Sequence, residues 1–137
     1  MTEWAGSPAL RWLLAFVLMA HGVAHLVGFV IPWQLIKSAD VPYRTTVLNG
    51  TFDLGAGGIR LIGIGWLALA ASMIGLGLVL MVAGWLSLTT TVALVTMSLL
   101  LCAAGWPDTW MGLIVNAALL AVLVAAWQLD WFRGVVR

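Results

Sequence analysis

Two histidines, His21 and His25, stand four residues apart in an apolar run, 12–33, that holds no other ionisable side chain. At that spacing both imidazoles lie on one face of a helix. Imidazole changes charge near neutral pH and also ligates metals, so the pair points to proton transfer or metal binding. The zinc pattern on a helix places a glutamate between its two histidines. Here the intervening residues are Gly22, Val23 and Ala24, and Asp53 or Asp108 would have to complete a site from elsewhere. Two imidazoles so close on one helix also cannot reach opposite faces of one haem. No metal and no cofactor is expected, and proton chemistry by His21 and His25 is the functional reading. The plain alternative is that both are neutral and hydrogen-bonded to Ser98, Asn116 or a backbone carbonyl.

The elements that must position this pair follow from composition. Of the 137 residues, 64% are hydrophobic and 8% charged, with a mean hydropathy of +1.11. Soluble domains carry about 25% charged residues, so one integral membrane domain, 1–137, is expected. The net charge of +1 and the lack of a basic tract argue against nucleic-acid binding. The single cysteine, Cys102, excludes an internal disulfide. Four apolar stretches reach the roughly 20 residues a membrane helix needs: 12–33, 61–82, 85–106 and 110–129. The first is too long for the 7–15-residue core of a signal peptide, and is expected to be retained. The predicted fold is an all-α membrane four-helix bundle with both termini on one side and one long loop, 34–60.

Eight of the nine tryptophans (Trp4, Trp12, Trp33, Trp85, Trp106, Trp110, Trp127 and Trp131) fall near the predicted boundaries, where amphipathic rings prefer to lie. Trp66 alone sits inside a span and is expected to pack there, although a buried indole N–H needs a partner. Arg11, Arg133 and Arg137 face Lys37, Arg44 and Arg60 across the membrane. If Arg60 lies inside the membrane, this balance tips to cytoplasmic termini in the cell membrane.

Depth gathers the polar residues. Counted at about 1.5 Å per residue, His25, His21, Ser98 and Asn116 all fall in the half of the bilayer nearest the long loop, with Arg60, Asp53 and Asp108 at its boundary. Arg60 needs a carboxylate partner, and Asp53, seven residues away, is the first choice before Asp108. Small residues run beside the histidines at Ala20, Ala24 and Gly28. Thr91, Ser98 and Cys102 share a face in the third span, as do Thr109, Gly112 and Asn116 in the fourth. Such faces permit close helix packing and interhelical hydrogen bonds, which is the structural reading of Asn116. In WPDTW, Pro107 suits the first turn of a helix. Asn49-Gly50-Thr51 matches a glycosylation sequon.

His21-Gly22-x-x-His25-Leu26-x-Gly28-Phe29, Gly63-x-x-Trp66-Leu67-x-x-Ala70, and the run from Ser98 through Trp106-x-Asp108-x-x-x-Gly112-x-x-x-Asn116 together resemble a widespread group of small bacterial four-span proteins, loosely DoxX-like. The similarity covers most of the chain. It implies the four-helix membrane fold and no reaction.

These readings converge on a polar pocket in the outer half of the bilayer for a lipophilic small molecule. His21 and His25 would carry protons there, with Asp53 and Asp108 setting the charges around them. Arg60, Asn116, Ser98 and Trp66 would bind the ligand. Isomerisation, cyclisation or epoxide opening would suit such a site. The alternatives are a proton-coupled homodimeric transporter and an accessory subunit of a membrane complex. Membrane lipids and a second copy of the chain are the expected partners.

Overall fold

The computed structural model describes residues 8–84 and 86–128, and the side chains of Leu10 and Ala126 are not among those described. Trp4, Trp85, Trp131, Arg133, Arg137 and the last residue of the predicted fourth span lie outside the described residues. The described chain is predominantly helical, in the order α1 (Pro8–His25), α2 (Val27–Val30), β1 (Thr46–Val47), β2 (Phe52–Asp53), α3 (Gly55–Ala83), α4 (Leu88–Ala104) and α5 (Trp110–Gln128). Two stretches, Arg11–Val30 and Gly55–Ala83, are long and apolar enough to cross a membrane. The helices α4 and α5 are apolar but shorter.

Local chemistry explains where each element ends. The first helical path tightens at Leu26, whose N–H donates to Val23 O, while Phe29 N–H donates to Leu26 O. These three-residue steps replace the four-residue steps of an α-helix. The path then stops in a Schellman motif: Gln34, at φ 55°, donates to Ile31 O, and Leu35 N–H reaches back to Val30 O. That stop falls at the predicted boundary near Trp33.

The α3 helix is longer than the predicted 61–82, because it starts at Gly55, where the Asp53 carboxylate accepts the backbone N–H at 2.9 Å. It ends on Gly84 in the left-handed conformation. Ser87 then caps α4 by accepting from Thr90 N–H. The helix of the third predicted span, α4, therefore begins at Leu88. Pro107 lies in the turn before α5 rather than in its first helical turn.

The helices pack as two antiparallel pairs, α1 with α3 and α4 with α5, and α3 also packs on α4. Glycines set the closeness of the first pair. A Cβ on Gly22 would lie 2.9 Å from Ala70 O, one on Gly77 would lie 2.9 Å from Ala15 O, and one on Gly28 would overlap the Trp66 ring. Of the small edge Ala20, Ala24 and Gly28, only Gly28 makes such an approach. Ala20 is exposed and Ala24 faces a cavity, because α1 turns Gly22, not Ala24, toward α3. Away from the loop the core is built mainly from Ala15, Leu18, Leu76, Leu80 and Leu86, with Thr91 the buried polar residue on that side.

The long loop folds back rather than trailing. Asn49-Gly50 forms the tip of a hairpin in which Thr46 pairs with Asp53 and Val47 with Phe52. Leu48, Asn49 and Gly50 all have positive φ, and Asn-Gly is the pair that tolerates this most readily. The tip is fastened to the α4–α5 turn by main-chain bonds, Leu48 N–H to Ala104 O at 2.8 Å and Asn49 N–H to Trp106 O at 3.0 Å.

Candidate functional site

Between the two helix pairs, under the hairpin, lies a pocket of about 510 Å³. Its walls are mostly apolar, with His21, His25 and Trp66 on one side, Cys102 and Gly112 on another, and Arg44 and Asp108 among the residues nearer the loop. The helix faces foreseen from the sequence do meet here. Ser98, Cys102 and Asn116 are all buried, and Gly112 is so close to Cys102 that an added Cβ would lie 2.5 Å from the sulfur; Thr91, also buried, stays about two turns away and bonds Ser87 O.

Each histidine is held by one hydrogen bond across the gap between the pairs. His21 Nε2 lies 3.0 Å from Asn116 Oδ1 on α5, and His25 Nε2 lies 2.8 Å from Ser98 Oγ on α4. The two rings touch edge to face with centroids 4.4 Å apart, and His25 also packs on Trp66 at 5.0 Å. Asn116 is tied in turn to Gly112 O at 2.7 Å and to Cys102 Sγ at 3.6 Å. The Thr109 hydroxyl, at the head of α5, donates to Cys102 O. The second nitrogen of each histidine makes no hydrogen bond among the described residues, and neither does the Trp66 indole N–H. The arrangement offers a pocket wall two imidazoles that are positioned by buried partners and still have one nitrogen each to use.

The charged residues are distributed differently from the expected Arg60–Asp53 pair. The α3 helix is continuous from Gly55, so residues 53 and 60 stay well over a turn apart at about 1.5 Å per residue. Asp53 turns back onto Gly55 N–H, and the Arg60 guanidinium instead lies over the Trp33 ring at 5.8 Å, a cation–π contact. Neither Arg60 nor Asp53 lines the pocket. Asp108 does, and its partner is Arg44, at 3.5 Å. Nothing local in the sequence separates Arg44 from Lys37 or Arg60 as the partner of Asp108. Only the hairpin's fold brings it to Asp108. With side chains 48% and 24% exposed, this ion pair is worth under about 1 kcal/mol and serves more to place charge on the pocket wall than to hold the fold. No cluster of three metal-ligating side chains forms among the described residues.

Asp53 carries a testable signature. The Gly55 N–H, and secondarily the Thr45 hydroxyl, hold its carboxyl below the usual value of 3.8. A carboxylate whose folded-state pKa is lowered stabilises the structure above its unfolded pKa, and that contribution is lost as pH falls through the folded value. Acidification below about pH 4 is expected to loosen the hairpin–α3 junction, seen as faster amide exchange at Gly55. In Asp53→Asn that acid dependence should disappear; its persistence would assign the effect to another group.

Compared with known protein families, curated proteins and solved structures, the chain gives no match.

Proposed function

We propose that the chain is a four-span membrane protein, with both termini on one side of the bilayer, whose pocket binds a lipophilic molecule bearing a polar group. Bulky apolar side chains cover its outside: Phe16 is 68% exposed, Leu61 69%, Val82 88% and Ile114 60%. On a soluble protein such coverage would be an aggregation hazard, whereas acyl chains are a matching solvent for it. The helices α4 and α5, at 17 and 19 residues, are slightly short for a 30 Å hydrocarbon core, a mismatch that local thinning accommodates. The likeness of the motif residues to DoxX-like proteins implies the same arrangement.

One observation carries the binding reading. The described residues leave a largely apolar space of about 510 Å³, within the range of small-molecule sites, and buried Asn116 and Ser98 orient two imidazoles on its wall. Such a pocket admits a hydrophobic body and fixes one polar group, and its imidazoles are placed to exchange a proton with that group. His21→Gln and His25→Gln, purified in mild detergent, are expected to keep the helical circular dichroism of the parent and to lose at least about tenfold in affinity for lipophiles that the parent retains, measured by native mass spectrometry. Undiminished retention by both variants would defeat the proposal.

A further inference from the structure

The hydrogen-bond polarity of His21, on the pocket wall, is set by a residue that does not line the pocket. Asn116 is fully buried, and its amide nitrogen lies 2.7 Å from Gly112 O and 3.6 Å from Cys102 Sγ. A backbone carbonyl only accepts, so the group facing it must be the NH2; the flipped amide would set oxygen against oxygen. The Asn116 oxygen therefore faces His21 Nε2, at 3.0 Å. That oxygen also only accepts, so neutral His21 must carry its proton on Nε2. Nδ1 is then a bare acceptor, it has no donor among the described residues, and His21 borders the pocket.

We infer that the pocket takes a lipophile whose polar group is a hydrogen-bond donor, an alcohol or phenol hydroxyl, with His21 Nδ1 as its acceptor and Asn116 as the positioning residue that fixes the tautomer. This rests on the proposed ligand-binding role of the pocket. An ether at the same place would set lone pair against lone pair, leaving two desolvated acceptors without a proton between them. Sites built around one hydrogen bond discriminate strongly against analogues that cannot make it.

The test uses the full chain in lipid nanodiscs with 15N-labelled histidine, at about pH 8, above the usual imidazole range. Long-range 1H–15N spectra, with His21 assigned by its absence in His21→Gln, are expected to show a single Nε2–H tautomer. The probes are 1-dodecanol and its methyl ether. Dodecanol is expected to shift the Nδ1 resonance of His21 and to bind at least about tenfold more tightly than the ether. An Nδ1–H tautomer overturns the inference. Equal binding of both probes overturns the hydroxyl assignment while leaving the pocket a lipophile site. Binding of neither overturns both.

Discussion

Gly28→Val is expected to be among the most damaging single substitutions in the chain, costing about 3 kcal/mol, the upper end of the range for forcing bulk into a packed interior. A Cβ at this position would lie 2.4, 2.5 and 2.7 Å from three atoms of the Trp66 indole. The struck atoms are at the root of a ring that is 7% exposed and packed against His25, so relief requires turning the whole indole toward the pocket it lines. The backbone at Gly28 is equally constrained between the tightened step at Leu26 and the Schellman stop at Gln34. Unfolding followed by tryptophan fluorescence in a mixed detergent should show the loss. Trp66→Ala in the same chain should recover part of it, because the second change removes the atoms that the first one strikes, and contacting sites are not additive. Parental stability in Gly28→Val would mean that α2 and α3 are not in contact here.

Asn116→Leu is expected to do less to the fold and more to the pocket. Interhelical hydrogen bonds between membrane helices are worth about 1 kcal/mol, and a loss of that order should appear in the same unfolding measurement. The larger effect is on His21. Leucine accepts no proton from Nε2, so the single tautomer should give way to a mixture, and affinity for a hydroxylated lipophile should fall about tenfold, equivalent to 1.4 kcal/mol. Asn116 is absent from the pocket wall, so a drop in affinity would have to travel through the imidazole. Retention of one tautomer together with full affinity would remove Asn116 from the positioning role.

The helices and the polar cluster were legible for different reasons. Apolar length announces a helix directly, and Gly84, Ser87 and Gln34 refine its ends by only a few residues, through caps whose geometry depends on the neighbouring turn. His21, His25, Ser98 and Asn116 could be grouped from depth along their helices alone, and the histidines do bond to Asn116 and Ser98. What could not be grouped was anything decided by the loop. Asn49-Gly50-Thr51 reads as a sequon, and in the structure its first two residues form the tip of a hairpin. Only the hairpin brings Arg44 to Asp108, leaving Arg60 to rest on Trp33. The choice among three cations and three carboxylates is made by a chain reversal that leaves no charge pattern in the sequence.

The fastening of the hairpin tip carries an evolutionary consequence. Both bonds to the α4–α5 turn are donated by the main chain, at Leu48 and Asn49, and accepted by main-chain carbonyls at Ala104 and Trp106. Every residue except proline supplies the same donor. Selection acting on the side chains that line the pocket at Arg44, Thr46 and Val47 is thus separated from selection acting on the fastening, where positive φ at Leu48 and Asn49 sets the choice of residue. Related chains are free to change the pocket wall through those three positions while inheriting the fastened tip unaltered.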